Sequence, residues 1–239
     1  MRVIEAFWEK RNLNVDTTEI EVEENDSFDD VKQCLQNVTS SYQVLKIPTG
    51  SVSCFEAAEQ NGFVFREAMI QMAHSLRTIE RPSVQQRLYD AVFVEPLMEE
   101  EQEELYAQIR DGMFEMDRIS LDSYFKREQV AERYIGWIHD ELKRGTELLK
   151  YRYKGDTIGF FGLREIRPGY YDSFLGGIYK AYRKGGIGMV IKVPEEVKRR
   201  GGKKLITSVS SNNVVQVRSL IQNGYIPEKI HYVYIKHCR

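Results

Sequence analysis

The sequence predicts an α/β (α+β) protein with a small N-terminal unit over residues 1–80, a linker at 81–90 and a larger unit over 91–239. Three observations lead there. Short alternating or apolar runs recur along the 239 residues, as strands require. Between them lie capped segments of helical period. The third is the polar stretch "RPSVQQRLYD" around Pro82, the best boundary in the chain.

In the first unit, "TTEIEVE" (17–23) alternates as a strand. "SFDDVKQCLQNV" (27–38) opens on a serine cap and continues as a helix. "YQVLKI" (42–47) is a second strand, closed by Pro48 and Gly50. "SVSCFEAAEQNG" (51–62) is a short helix stopped by Gly62, and "FVFREAMIQMA" (63–73) is a third strand. In the second unit, the strand "AVFVEPL" (91–97) leads to a helix over 99–112 with acids at its start, where the helix dipole favours them. The loop "MFEMDRISLDSYF" leads to a helix over 127–145. Three strands follow, "ELLKYRYKG", "TIGFFGLREI" and "SFLGGIYKAY". A glycine-rich stretch opens the next helix, in which Pro194 falls about two turns in and predicts a break near Val193. The strand 203–210, the helix 212–224 and the strand 229–237 complete the chain. "SVSCFEAAEQNGF" and "NNVVQVRSLIQNGY" share a cap, helix and Asn-Gly-aromatic pattern. That echo reads either as a partial duplication or as ordinary strand–helix–strand grammar.

Composition narrows the function. The chain is 42% hydrophobic and 29% charged with a net charge of −2, so broad nucleic-acid binding is not expected. No apolar run approaches the roughly 20 residues of a membrane span, and the N-terminus turns charged at once, so a cytoplasmic protein is expected. Cys34, Cys54 and Cys238 are odd in number and widely spaced, as in a reduced compartment. The four histidines have no metal-ligand spacing, so no metal is expected.

The stretch "AYRKGGIGMVI" (181–191) directly follows the third strand of the larger unit and opens a helix. Unpaired amides and the helix dipole converge at such a point, and glycines let an anion approach the backbone. The pattern R-x-x-G-x-G, with Arg183, Gly186 and Gly188, is neither a Walker loop nor a dinucleotide fingerprint. By itself it reads equally as a helix-entry turn.

In this setting residues 91–239 resemble the GNAT superfamily of acyl-CoA-dependent N-acyltransferases. That family has a strand, two helices, three antiparallel strands, an R/Q-x-x-G-x-G/A loop opening a helix, and then a strand, a helix with Asn…Gly-aromatic, and a last strand. Here Asn213 stands eleven residues before Gly224–Tyr225. The resemblance implies a mixed, mostly antiparallel sheet flanked by helices, with acetyl-CoA as co-substrate and a small-molecule amine as acceptor. It implies that the amides of Lys184, Gly185, Gly186, Ile187, Gly188 and Met189 hold the pyrophosphate. Backbone groups of Ile178, Tyr179 and Lys180 would pair with the pantetheine arm, and Asn213 would lie beside it. The basic run Lys198, Arg199, Arg200, Lys203 and Lys204 reads as a solvated helix end or as a contact for the adenosine phosphate.

Nearly the whole chain looks like a narrower group within that family, the acetyltransferases of TDP-linked 4-amino-4,6-dideoxygalactose. "FWEKRNLNVDTTEIEVE", "AAEQNGF", "DRISLDSYF", "YIGWIHDELKRG" and "TIGFFGLREI" carry this likeness. It implies a nucleotide-linked amino sugar as acceptor and a partial GNAT-like N-terminal unit; it leaves a homodimer open.

Acyl transfer to an amine needs a base, a donor to the thioester carbonyl and a proton for the leaving thiolate. Amides near Ile178 and Tyr179 are the candidate donors. The family's tyrosine, seven residues after the helix asparagine, is Leu220 here. Tyr225, Tyr232, Tyr234 or His231 could take its place, the thiolate could leave unaided, or the domain could bind CoA and catalyse poorly. For the base, Glu165 and Asp172 are the best placed by order, and Glu165, whose "LREI" matches the narrower group, is the one expected to act, with a surface Arg164–Glu165 pair as the competing reading. Asp117, Arg118, Asp122 and Tyr124 lie in the loop that borders the acceptor site in this family, with Asp117, Arg118 and Tyr124 as acceptor contacts and helix capping as the alternative for the acids. Tyr134 and Trp137 are expected to face the core, with stacking on the substrate as the alternative.

Overall fold

The computed structural model describes residues 1–80, 89–185 and 189–238. Every strand expected above forms, and two further elements precede them: β1 (Arg2–Glu5) and α1 (Phe7–Leu13). The rest of the first unit is β2 (Thr17–Glu21), α2 (Phe28–Asn37), β3 (Tyr42–Pro48), α3 (Val52–Gln60) and β4 (Val64–His74). Ser27 caps α2 in a reciprocal box with Asp30, as its position before the periodic run predicts.

The larger unit begins with β5 (Val92–Pro96), α4 (Gln102–Arg110) and α5 (Arg127–Lys143). Then come β6 (Glu147–Tyr153), β7 (Asp156–Arg167), β8 (Tyr170–Asp172) and β9 (Gly176–Ile178). The expected single strand over 173–182 is thus reduced to β9, preceded by a separate β8. A 3-10 turn over Lys180–Gly185 follows, and a second over Met189–Ile191 runs into α6 (Lys192–Arg199). The break expected near Val193 lies instead between Ile191 and Lys192. Pro194 falls in the first turn of α6, where a backbone N–H has no helical partner to lose. Elements β10 (Lys204–Ser210), α7 (Val214–Gln222) and β11 (Ile226–His237) close the chain.

All the strands join one mixed sheet in the order β1-β2-β3-β11-β4-β10-β8-β7-β6-β5, with β9 on β7. Only β2–β3 and β8–β10 are parallel. Strand β4 lies between β10 and β11, antiparallel to both, and β3 pairs with the other edge of β11. The first unit is therefore stitched into the sheet of the second.

Alternation along the strands divides the core. Helices α1, α4 and α5 cover one face through Leu13, Leu105, Ile109, Ile135 and Ile138, packed with Val44, Phe160 and Val233. Helices α6 and α7 cover the other through Val193, Val197 and Leu220, against Phe161, Leu205 and Val209. On that second face, α2 and α3 seal Leu45, Ile47 and Tyr234. Among the described residues no helix is long and apolar enough to cross a membrane, and no group of three or more His, Cys, Asp or Glu could hold a metal. The three cysteines are free thiols.

Candidate active site

The sheet comes apart at one place. β8 and β10 run in parallel from Tyr170 beside Lys204 to Asp172 beside Ile206. Ser173 then donates its N–H to Ile206 O (2.9 Å), and Thr207 Oγ1 donates to Ser173 O (2.7 Å). Beyond that point β10 keeps its pairing with β4, which runs from Leu205 to Ser210, whereas among the described residues β9 pairs only with β7. Phe174 and Leu175 fill the step, and a wedge opens between β9 and β10.

The register decides which groups line the wedge. Gly162 N–H donates to Leu175 O (2.7 Å) and Tyr179 N–H donates to Ile158 O (2.9 Å). Positions 175, 177 and 179 therefore turn their backbone groups to β7. Gly176 and Ile178 turn theirs into the wedge. The expectation that Tyr179 offers its amide is corrected by this bond, and its side chain is buried in the core. Lys180 has left the strand; its ammonium pairs with Asp111 (2.9 Å). Arg183 donates from Nε to Ile178 O (3.1 Å) and from a terminal nitrogen to Gly112 O (3.1 Å). Its guanidinium thus covers the same edge carbonyl that the pantetheine arm was expected to use.

Of the glycine stretch, Gly186, Ile187 and Gly188 lie outside the described residues, as does most of the linker, 81–88. Lys184 and Gly185 end the first 3-10 turn and Met189 starts the second, so the stretch spans the entry to α6. Asn213 is the N-cap of α7. Its Oδ1 accepts the Gln216 N–H (3.2 Å) just past the end of β10, beside the wedge. The basic run past α6 is largely committed. Lys198 bonds Arg77 O (3.3 Å), Arg199 pairs with Glu196 (2.7 Å), Arg200 with Glu147 and Glu196 (3.0 and 2.8 Å), and Lys204 with Glu228.

Asp172 stands at the root of the wedge, on the face covered by α5. Cross-strand Arg164 reaches from the same face to Glu141 of α5 (2.8 Å). Burial, opposed by Arg164 and assisted by Glu141, pushes the Asp172 carboxyl up to about 6. Glu165, one position along β7, points to the opposite face and accepts the Gly169 N–H (2.7 Å), holding the β7–β8 turn. The expectation that preferred Glu165 is thus corrected, because its carboxylate is spent on the turn and it is Asp172 that stands at the wedge. Gly162 makes the neighbouring wall possible. A side chain there would strike the Phe174 ring, which lies edge-on to Trp137 at 5.6 Å. Trp137 was expected in the core with Tyr134; Tyr134 is buried, but Trp137 is 36% exposed over this wall.

The acceptor loop is held from within. Arg118 is buried, reaching Glu19 (3.3 Å) and Glu9 (3.7 Å), while Arg133 clasps Glu9 (2.6 Å). Asp117 Oδ1 accepts the Ser120 N–H (2.7 Å), and the Tyr134 hydroxyl donates to Oδ2. Burial works to raise the Asp117 carboxyl, but Arg133, Ser120 and Tyr134 outweigh it and hold it below its usual value. The expected role of Asp117 and Arg118 as acceptor contacts gives way to one inside the loop, because both side chains are spent there. Asp122 receives the same kind of commitment, bonded to His237 (2.8 Å). Tyr124 is exposed and stacks on His237 at 4.3 Å. That places it over the end of β11, two strand spacings or ~10 Å across the sheet from β10.

Sequence reasoning missed Glu67 of β4. Its Oε2 accepts from Ser210 Oγ (2.6 Å) at the end of β10 and from the Arg118 N–H (3.0 Å) of the loop. Burial raises its carboxyl above the usual range despite Arg118. The only signal was its parity with Met69 and Gln71 in "FREAMIQMA". The proton-donor candidates separate as well. Leu220 is buried beside Val209, and Tyr225 lies in the same core, its phenol raised by burial. Tyr232 and Tyr234 pack against Phe55 and Phe65. His231 neighbours Met69 on the Asp172 face, and burial lowers its imidazole.

No family model matches the chain, and no curated protein matches it. Solved structures do. A GCN5-related N-acetyltransferase from Sphaerobacter thermophilus is 17% identical, with a TM-score of 0.57 over 82% of this chain. This chain spans only 59% of that protein's length. A functionally unknown conserved protein from Staphylococcus epidermidis is 11% identical with a TM-score of 0.63, covering 96% of this chain and 88% of its own. A GCN5-related N-acetyltransferase from Kribbella flavida is 10% identical with a TM-score of 0.59, covering 94% and 82%. At these identities the likeness concerns the fold, and the fold is that of the GNAT acetyltransferases.

Proposed function

We propose that this protein is an acetyl-CoA-dependent N-acetyltransferase acting on a small amine. The observation that carries the reading is the wedge between β9 and β10, with the free backbone edge of Gly176 and Ile178 on one side and the raised carboxyl of Asp172 at its root. A strand edge without a partner is what an extended amide-bearing arm such as pantetheine can pair with. In this reading Ile178 pairs with the arm once Arg183 releases its carbonyl. The Gly176 N–H donates to the thioester oxygen, and the pyrophosphate sits on the amides of 184–189.

The reaction then follows from placement. Asp172 accepts the proton that the amine loses as its nitrogen attacks the thioester carbon. The Gly176 amide stabilises the oxyanion. Collapse breaks the C–S bond and yields the acetamide and the thiolate. With Leu220 in the core, that thiolate, of ordinary pKa near 8.5, takes its proton from water. The acceptor favoured by the sequence resemblance is a nucleotide-linked amino sugar.

Calorimetry with acetyl-CoA and a thiol-release assay over TDP- and UDP-linked amino sugars and free amines test this reading. Absence of acetyl-CoA binding would sink it. Turnover confined to free amines would remove the sugar. Gly186→Glu, which sets a carboxylate against the phosphates, should abolish binding. A second reading, a CoA-binding module without turnover, is favoured by Leu220 alone and predicts binding with no thiol release on any amine.

A further inference from the structure

The face that carries Asp172 continues into a groove that the catalytic reading does not use. Its volume is about 270 Å³, and its lining includes Tyr170, Arg167, Lys204, Lys229, Gln71 and Ile206. Strand register makes it contiguous with the base. Tyr170 lies two residues before Asp172 on β8, beside Lys204, and Ile206 lies beside Asp172 itself. Two residues of strand span ~7 Å, so the groove starts beside Asp172 at Ile206 and reaches Tyr170 about that far from it.

Its charge is uncompensated. Arg167, Lys204 and Lys229 face one acid, Glu228, which pairs with Lys204. Among the described residues neither Arg167 nor Lys229 forms an ion pair. Arg167 is exposed, and its guanidinium carbon lies over the Tyr170 ring, 3.8 Å from its centroid, a cation–π contact at the rim of the groove. A chain with net charge −2 thus keeps two free cations and an aromatic ring in a concavity beside its candidate base.

We propose that this groove holds a phosphate group of the amine acceptor, so that the substrate is a phosphorylated or phosphate-linked amine. Lys229 and Arg167 supply charge-assisted hydrogen bonds to the phosphate oxygens, with Lys204 beside them. The ~7 Å along β8 from Asp172 to the Tyr170 end of the groove sets the scale of the distance between phosphate and reacting nitrogen. The inference rests on the acetyl-transfer reading for the identity of the amine, but the groove can be judged by binding alone.

The test uses a matched pair, glucosamine and glucosamine 6-phosphate, on the full chain with acetyl-CoA. Affinity is read by calorimetry and turnover by thiol release. The wild-type protein should favour the phosphorylated amine by about tenfold or more, as one or two charge-assisted bonds provide. The Lys204→Gln/Lys229→Gln variant should bring that ratio towards one. If the double variant does not fold, Lys229→Gln alone, at a residue without an ion pair, should lower the ratio. Lys154→Gln, in the turn at the far end of β7, reads out nonspecific charge: a ratio lowered as much as by Lys229→Gln would overturn the proposal. Equal wild-type affinity for the two amines would also overturn it. If neither amine is acetylated but the phosphorylated one binds better and loses this advantage in the lysine variants, the groove stands and the transferase reading falls.

Discussion

In the proposed reaction, at the scale of single residues, Asp172 is the base and Leu220 stands where a proton donor was expected. The Asp172 carboxyl holds its proton to about pH 6, because burial disfavours the charge more than Arg164 favours it. Two consequences follow with definite sign. As pH rises through about 6 the group ionises, so kcat/KM should rise through that range and level off above it. The native state also binds this proton more tightly than the unfolded chain does, so Asp172's contribution to stability is present at low pH and lost as pH rises through about 6. Asp172→Asn should therefore lower kcat by roughly 10²–10⁴ without lowering the melting temperature at pH 7.5. A variant that loses activity only by unfolding would contradict the assignment. Leu220→Tyr restores the family's residue type at a site closed around leucine, so overpacking should cost about 1–3 kcal/mol in denaturant unfolding. A stable variant with faster turnover would show that the wedge has room for a phenol there.

At the scale of elements, the step from β8 to β9 decides where the acyl group can sit. Gly162 lets the Phe174 ring lie on β7, and Phe174 sets the wall that Trp137 borders. Gly162→Ala should displace that ring. We expect a loss of 1–3 kcal/mol, measured by chemical denaturation, and a fall in turnover, together with a changed Trp137 fluorescence maximum. An unchanged spectrum would refute the contact. The strand and helix order was legible because alternation and caps are local signals. The split of one strand into β8 and β9 was not, since it depends on the chain after Asp172 parting from β10, which stays paired with β4. Likewise Asp117 and Arg118 read as polar loop residues, and only the tertiary meeting of that loop with Glu9, Glu19 and Glu67 makes them interior. Pro194 was read as a break inside a helix, whereas the preceding 3-10 turn shifts it into the first helical turn.

At the scale of the molecule, the N-terminal unit supplies β4 to the middle of the sheet, where it covers the edges of both β10 and β11. Glu67 on that strand also ties the end of β10 to the loop. The fragment 91–239 should therefore fail to fold alone. Its amide spectrum should be poorly dispersed, and adding residues 1–80 should restore dispersion. A well-dispersed fragment would contradict this dependence. The two units share one sheet instead of stacking as separate bodies. The central claim is that acetyl-CoA adds its arm to the free edge of β9. Amide hydrogen exchange with and without acetyl-CoA tests it most directly. The account predicts new protection at Gly176 and Ile178, with Tyr179, already bonded to Ile158, unchanged. Binding that leaves Gly176 and Ile178 unprotected, or no binding at all, would contradict it.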